Sequence, residues 1–346
     1  MDGPDSFISA VSARILRPRP WLSPLAPLYW ALSRLHRAGM RAAAAGSAPA
    51  IPLVVVGALR AGGSGKTSVT LELARILAAR GCRPAILAYR MGPGSGRSRD
   101  PVLEVRAGDD WRRTSEEAVM LRLDSGCRVF ATRDRAAAWR RLHDADIQGR
   151  APFDILLSDD GFQDPRLAGA LRLLLIAPGE RPGLFDLLPA GPFRETWAAA
   201  ARADLILEGP YPRDEVTSLL PMGGFPAPVR RFGRDLLLPP GLDPGRPWIA
   251  YCALGDNRPF LRGLARAGIR PAAVVEGRNH AAPPLKILQA CAARHPGAGI
   301  VCTRKDWLKL GPARAAGLPL FPVGQSVSLD PETVAAVEIH RSAGPR

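Results

Sequence analysis

Cysteine is scarce in this sequence, and its placement excludes two kinds of stabilising chemistry. The 346-residue chain has five cysteines, with no C-x-x-C pair and an odd total. Structural zinc sites and disulfide frameworks both need paired or closely spaced thiols. We therefore expect neither, and we expect a chain that works in a reducing compartment.

The sequence also has no apolar run long enough to cross a membrane. A spanning helix needs about 20 apolar residues, and the one candidate, near the N-terminus, is interrupted at Pro18, Pro20, Pro24 and Pro27. The same prolines break the apolar core that a cleavable signal requires. We therefore expect no leader peptide and no transmembrane helix.

Lysine is rare, although the chain is strongly basic. The net charge is +15, and lysine occurs only at positions 66, 286, 305 and 309, so arginine carries most of the positive charge. Such a balance suits phosphorylated substrates or an acidic membrane surface, but an arginine-rich genome gives the same composition without functional meaning. Basic residues do not interleave with aromatic ones, so we expect no nucleic-acid partner. No obligate protein partner is evident.

Strand-like and helix-like segments alternate along most of the chain. Apolar strands are predicted at 51–59, 82–89, 127–132, 153–161, 171–178 and 203–209, and the pattern restarts after the Pro/Gly-rich stretch 236–247. This predicts an α/β fold with a mainly parallel sheet covered by helices. The stretch GGSGKT directly behind the first strand makes that fold P-loop NTPase-like. We predict three parts: an N-terminal amphipathic membrane-interface segment (1–47), a P-loop core domain (48–240) and a smaller C-terminal α/β domain (241–346).

Residues 19–41 have the spacing of an amphipathic helix. The apolar stripe consists of Leu25, Leu28, Tyr29, Leu32 and Leu35, and the opposite side carries Arg34, Arg37 and Arg41. Such a helix can lie in a membrane interface with its arginines near anionic headgroups. It can equally pack on the core of its own protein, and the pattern alone leaves both interpretations open.

The stretch GGSGKT follows an apolar strand and precedes a predicted helix at 66–80. The candidate nucleotide-binding residues are Gly62, Gly63, Ser64, Gly65, Lys66 and Thr67. Glycines let successive N–H groups point at phosphate oxygens, Lys66 would neutralise the β and γ phosphates, and Thr67 would bind Mg²⁺. The match to G-x-x-x-x-G-K-[ST] is incomplete, because Arg60 stands at its first glycine.

Two acidic residues end the apolar strand FDILLSDDG. Asp159 and Asp160 stand where a carboxylate of a phosphate-binding fold holds Mg²⁺, directly or through water. A stretch Asp-Asp-Gly is also common in turns, so the interpretation depends on the glycine-rich loop upstream.

Four motifs in order resemble the tetraacyldisaccharide 4′-kinase family of lipid A biosynthesis: GGSGKT, LSDDGFQ, LLPAGPFRE (187–195) and CTRKDWLKL (302–310). The resemblance implies transfer of phosphate from ATP, with Mg²⁺, to the 4′-hydroxyl of a tetraacylated disaccharide 1-phosphate, which gives lipid IVA. It also implies a peripheral enzyme at the cytoplasmic face of the inner membrane. A substrate with four acyl chains stays in the bilayer, which favours the interfacial interpretation of residues 19–41.

The resemblance also assigns roles, with departures. It implies catalytic roles for Lys66, Arg194, Glu116 and His280, and a metal-binding set of Thr67, Asp159, Asp160 and Glu195. Glu116 stands where the family has aspartate in Gly-Asp-Glu-Pro, and Asp109 is the rival if the alignment contains a gap. Asn279 replaces the acid beside His280, and Asp164 replaces the family's histidine after the glutamine.

Two other functions stay open. A switch-type ATPase of the P-loop class often has lysine at the start of its loop, where this chain has Ala61. A catalytically silent family member, which binds lipid or nucleotide only, is suggested by the departures at Glu116 and Asn279.

Overall fold

The structure is a computed structural model that describes residues 19–42, 51–91, 101–147, 153–211, 224–243, 245–254, 256–277, 283–311 and 317–343. The chain forms two compact units. The described part of the larger unit lies within residues 18–234 and 327–346, and that of the smaller unit within 235–326. The last helix of the chain therefore belongs to the larger unit, whereas the sequence-based division at 47 and 240 stays a prediction.

Eight strands form the sheet of the larger unit. They are β1 (Leu53–Ala58), β2 (Pro84–Tyr89), β3 (Val102–Val105), β4 (Arg128–Thr132), β5 (Ile155–Asp159), β6 (Leu171–Ile176), β7 (Leu205–Tyr211) and β8 (Val229–Leu237). Their order is β8-β7-β6-β1-β5-β2-β4-β3. All described pairings are parallel except that of β3 with β4. The prediction of a mainly parallel sheet is confirmed.

Among the described residues, five α-helices belong to this unit: α1 (Ala26–Ala42), α2 (Lys66–Ala79), α3 (Glu116–Ser125), α4 (Arg135–Ile147) and α8 (Pro331–Ala343). Ser115 caps α3, its side chain accepting a hydrogen bond from the Ala118 N–H at 3.0 Å. The α8 helix returns to the central strand, where a ring nitrogen of His340 lies 3.1 Å from the Leu53 carbonyl oxygen.

Strand β1 lies at the centre of the sheet, and every one of its residues is buried. Burial on both faces explains its continuous apolar sequence. Gly57 is required by close packing, because a Cβ there would lie 2.3 Å from the Cβ of Phe162. The segment that follows β5 can therefore approach the end of β1 closely.

Four parallel strands form the sheet of the smaller unit. They are β9 (Trp248–Cys252), β10 (Pro271–Glu276), β11 (Gly299–Thr303) and β12 (Leu320–Leu329), in the order β10-β9-β11-β12. The helices are α5 (Arg258–Arg266), α6 (Leu285–Arg294) and α7 (Arg304–Leu310). Cys252 and Cys302 of this sheet are buried free thiols.

Residues 20–42 are helical, as predicted for 19–41, and most of their apolar stripe faces outward. A 3₁₀ turn over Pro20–Leu25 leads into α1, and a second turn, Leu184–Asp186, packs against both. The exposed apolar side chains of α1 and the two turns are Trp21, Leu25, Leu28, Trp30, Leu32, Leu35 and Phe185. Tyr29 instead packs on the core. None of the helices described is long and apolar enough to cross a bilayer.

Candidate active site

The glycine-rich loop joins the end of β1 to the start of α2. Gly62, Gly63 and Gly65 have φ angles of 84°, 74° and 85°, in the left-handed region that favours glycine. The first turn of α2 has no acidic residue. Its free N–H groups and the positive end of the helix dipole therefore favour a phosphate group at this point.

Lys66 is the first residue of α2, and its ammonium group lies among oxygen atoms. Its Nζ is 3.3 Å from Ser64 Oγ and 3.9 Å from Asp160 Oδ2. The lysine is thus already held at the loop by a neighbouring carboxylate, where it can neutralise an incoming phosphate.

The acidic pair lies beside the loop because β5 is next to β1 in the sheet. Val56 pairs with Asp159 in the parallel ladder, and the Asp160 N–H donates to the Val56 carbonyl oxygen at 2.9 Å. Asp160 has a φ of 67°, unusual outside glycine. Strained backbone of this kind is common where a site requires a particular side-chain direction.

Thr67 and Asp159 form a pair suited to a divalent cation. The Thr67 hydroxyl donates to Asp159 Oδ2 at 2.9 Å. The other carboxylate oxygen of Asp159 is buried and has no hydrogen-bond partner among the described residues. A buried oxygen without a partner is costly, and a hard cation satisfies it. The donor set of hydroxyl and carboxylate oxygens therefore fits Mg²⁺.

A magnesium site here would be completed by groups from outside the protein. No group of three or more His, Cys, Asp or Glu side chains is placed to hold a metal anywhere in the described ranges. Mg²⁺ in nucleotide sites commonly keeps several waters and binds one or two protein oxygens together with phosphates. The two oxygen donors at the loop are sufficient for that arrangement.

The two carboxylates of the pair differ sharply in their electrostatics. Burial, followed by the charge of Glu117, raises the pKa of Asp159 to about 7. The positive charges of Lys66, Arg194 and Arg135 outweigh burial at Asp160 and hold its pKa far below the ordinary value. Asp160 is therefore a permanent anion, whereas Asp159 exchanges a proton near neutral pH.

The raised pKa of Asp159 predicts a pH dependence of metal binding. Mg²⁺ binds the deprotonated carboxylate, so below pH 7 it must displace a proton. We expect Mg²⁺ affinity in the presence of nucleotide to fall by up to about tenfold per pH unit below 7, and to level off above it. Calorimetry at pH 5.5 to 8.5 in two buffers would measure the affinity and the released proton.

Asp159→Asn is the control for this titration. ATP itself gains a proton in the acidic range, so the variant keeps that contribution and loses only the one from Asp159. Wild type and variant with equal slopes against pH would show that Asp159 does not titrate in this range.

Arg194 reaches the acidic pair from the segment LLPAGPFRE. Its Nη1 donates to Asp160 Oδ2 at 2.8 Å and to Gln163 Oε1 at 3.3 Å. Arg135, at the start of α4, donates to the Asp159 carbonyl oxygen at 3.0 Å. The structure therefore brings the predicted Arg194, Lys66, Asp159 and Asp160 together at the carboxyl ends of β1 and β5.

The same segment holds the backbone that precedes the glycines. The Ala61 N–H donates to the Pro192 carbonyl oxygen at 2.9 Å, and the Arg194 N–H donates to that of Leu59 at 2.8 Å. Arg60, where the motif has glycine, bonds the Glu180 carboxylate at 3.2 Å. The missing first glycine is thus accommodated, because residue 60 lies in a short β-bridge with Phe193 rather than in the turn.

Glu195, predicted to bind metal, has arginine neighbours. It is 3% exposed, and its Oε1 accepts a hydrogen bond from Arg202 at 2.7 Å. Its Oε2 lies 3.6 Å from Nη1 of Arg37 on α1. Both oxygens of this buried carboxylate thus face guanidinium groups.

The predicted proton acceptors lie in different settings. Glu116 is fully buried as the first residue of α3, whereas Asp109 accepts the N–H of Arg106 in a local turn. His280 and Asn279 lie outside the described residues. The choice between Glu116 and Asp109 stays a prediction. Asp164, which the sequence left unexplained, pairs with the Arg166 guanidinium through both oxygens, at 2.9 and 2.8 Å.

Three site residues were missed in the sequence. Glu117 raises the pKa of Asp159, and Arg135 contacts the acidic pair. Arg234 lies against Gly65, because a Cβ added to that glycine would be 2.9 Å from its Nη1. Glu117 had a signal, because it directly follows Glu116, to which the resemblance assigns a catalytic role. Arg135 and Arg234 are two of many arginines, and only the fold brings them to the loop.

The parallel sheet, the loop between β1 and α2, and the adjoining acidic pair define a nucleotide-binding protein of the P-loop class. The family model for tetraacyldisaccharide-1-P 4′-kinase matches residues 18–340. The chain belongs to this family.

Individual relatives cover nearly the whole chain. A tetraacyldisaccharide 4′-kinase of Gluconacetobacter diazotrophicus is 36% identical over 305 residues, covering 86% of each chain. One from Alkalilimnicola ehrlichii is 33% identical and covers 88% of this chain and 89% of its own. A crystal structure of LpxK from Aquifex aeolicus, an "apo" form in complex with ATP, superposes with a TM-score of 0.68 at 24% identity, covering 93% of this chain and 99% of the other. That likeness confirms the fold.

Proposed function

We propose that this chain transfers the γ-phosphoryl group of ATP to the 4′-hydroxyl of a tetraacyldisaccharide 1-phosphate. Membership of the kinase family gives the reaction and the lipid acceptor. The observation that supports this reaction in the present chain is a cluster of five side chains at the loop: Lys66, Thr67, Asp159, Asp160 and Arg194. A chain that only bound lipid would have no need for such a phosphate and metal site.

The phosphates of ATP would accept hydrogen bonds from the N–H groups of the loop, and Lys66 would lie beside the β and γ phosphates. Lys66 and Arg194 both contact Asp160 and lie close enough to neutralise the charge that spreads over the transferred group. Most of the rate enhancement would come from positioning ATP and the acceptor hydroxyl and from neutralising charge. Glu116 would accept the proton of the 4′-hydroxyl late in the transfer, oriented by His280.

Mg²⁺ would be held by Thr67 and Asp159, where the orphaned carboxylate oxygen lies. An ion held there would supply positive charge beside the phosphates during transfer. Asp160 would take no direct part in metal binding without releasing Lys66 or Arg194. In our proposal it orients those two cations.

Membrane contact would be made by α1 and the two turns packed on it. This surface exposes seven large apolar side chains, and the described part of α1 has arginines but no acidic residue. An amphipathic helix of that kind binds the boundary between headgroups and acyl chains, with added attraction from anionic lipid. ATP and the acceptor would meet at the cytoplasmic face of the inner membrane, with the enzyme attached peripherally.

Replacing an exposed leucine of α1 tests the membrane surface. Leu32→Ser should weaken binding to vesicles with anionic lipid by about tenfold, because burying a leucine side chain stabilises by roughly 1.5–3 kcal/mol when complete. Ile339→Ser on α8 is the matched control, since Ile339 is 67% exposed and Leu32 57%. Equal binding of the two variants in a flotation assay would place the membrane contact elsewhere.

The reaction itself is tested with the purified full chain. Labelled γ-phosphate of ATP should appear in a bisphosphorylated lipid when tetraacyldisaccharide 1-phosphate is supplied in detergent micelles. Hydrolysis of ATP at the same rate with or without lipid would favour a switch-type ATPase. ATP binding with no transfer and no hydrolysis would identify a silent family member.

A further inference from the structure

Glu195 is a buried carboxylate whose neighbours explain it without a metal. Its oxygens lie 2.7 Å from Arg202 Nη2 and 3.6 Å from Arg37 Nη1. Buried carboxylates are retained when they are paired and hydrogen-bonded. A metal cation at Glu195 would be repelled by these two guanidinium groups unless it displaced them.

Arg37 is the arginine of α1 that turns toward the protein. Its side chain is 16% exposed, whereas Arg34 and Arg41 on the same helix are exposed. Tyr29 lies on the same inward side about two helical turns earlier. Burial raises its pKa, and the charges of Arg194, Arg37 and Glu195 also act on it. The inner side of α1 therefore lies against the segment that contains Arg194 and Glu195.

Arg194 and Glu195 are consecutive residues that bind in two different places. Arg194 donates to Asp160 in the acidic pair at 2.8 Å, and Glu195 contacts α1. Arg202 adds a second connection, because its guanidinium lies 5.0 Å from the ring centroid of Phe162, two residues beyond Asp160. A shift of Glu195 would therefore move the backbone from which Arg194 extends.

We propose that Glu195 is a positioning residue that links Arg37 of the membrane-facing helix α1 to Arg202, and thereby holds Arg194 at the acidic pair. The inference rests on the proposed kinase function, because Arg194 is taken to stabilise the transferred phosphoryl group. The link makes the attachment of α1 a condition for full turnover, whereas nucleotide and metal binding do not depend on it.

The first test compares two arginines on one helix. Arg37→Met and Arg34→Met remove the same charge from α1, but only the first removes the contact with Glu195. In neutral detergent micelles we expect Arg37→Met to lower kcat at least tenfold below Arg34→Met. The KM for ATP and the Mg²⁺ concentration for half-maximal rate should change less than twofold. Arg37→Lys should restore most of the rate, since a point charge suffices at this distance.

The second test examines Glu195 itself. Glu195→Gln should lower kcat as Arg37→Met does. The double variant should be no slower than the slower of the two single variants, because the two residues act through one contact. A tenfold increase in the Mg²⁺ requirement of Glu195→Gln alone would instead make Glu195 a metal ligand and overturn the proposal. So would equal rates for Arg37→Met and Arg34→Met.

A measurement without turnover separates this link from the kinase assignment. Chymotrypsin cleaves after Tyr29 and Trp30, and both sites remain in all the variants. We expect cleavage in α1 to be at least fivefold faster in Arg37→Met than in Arg34→Met. If wild type transferred no phosphate, the proposed function would fail, and this comparison would still decide whether the link holds α1. Equal cleavage would show that it does not.

Discussion

Replacing Lys66 with alanine is expected to lower phosphoryl transfer by about 10²- to 10³-fold, the usual loss when one pre-organised charge is removed from a transition state. The lysine is held at the loop by Ser64 and Asp160, so no reorganisation is needed when phosphate enters. Its removal also leaves Asp160 with one cation fewer beside the incoming phosphate. The rate of label transfer at saturating ATP and lipid measures the effect.

Lys286→Ala is the control for Lys66, because it removes the same side chain from an exposed position on α6. Its rate should match wild type. The Lys66 variant should keep its melting temperature within a few degrees, because Asp160 still accepts a hydrogen bond from Arg194. A Lys66→Ala enzyme with more than a tenth of the wild-type rate would show that the loop does not hold the reacting phosphate.

Replacing Glu116 with glutamine is expected to lower turnover by roughly 10²- to 10⁴-fold while ATP binding is retained, as for loss of a general base. Glutamine preserves the shape of the buried side chain at the start of α3 but accepts no proton. Helix α3 packs against α2, the helix that begins at Lys66. Single-turnover transfer separates the chemical step from product release.

Asp109→Asn decides between the two candidate bases. Asp109 closes a local turn through the Arg106 N–H, and asparagine keeps that acceptor, so we expect a rate close to wild type. A large loss in Asp109→Asn with an active Glu116→Gln enzyme would exchange the two roles. Loss in neither would mean that the hydroxyl proton leaves without a base from this part of the chain.

Sequence periodicity found the elements that are buried on both faces. Strands β1, β2, β4, β5, β6 and β7 are near-continuous apolar runs, and each was predicted within a few residues. The antiparallel edge strand β3 was missed because it has only four residues, too few to establish a strand pattern. Strands β8 and β12 were missed because polar residues interrupt them and most of their residues are only partly buried.

The site was predictable where chemistry requires a local motif. Lys66, Thr67, Asp159 and Asp160 all stand in short stretches with fixed spacing, and the sheet order brings those stretches together. The contact of Glu195 with Arg37 and that of Arg135 with Asp159 were not predictable, because the partners are 158 and 24 positions apart. Roles carried over from a resemblance give no information about which neighbour a buried side chain meets.

The return of α8 to strand β1 has a consequence for how the chain folds during synthesis. The contact between His340 and Leu53 joins residues near opposite ends of the sequence, and the larger unit includes residues 327–346. Ribosomes deliver the N-terminal part first, so β1 emerges long before the helix that covers its first residue. The nucleotide-binding half therefore completes its packing only after the smaller unit has been synthesised.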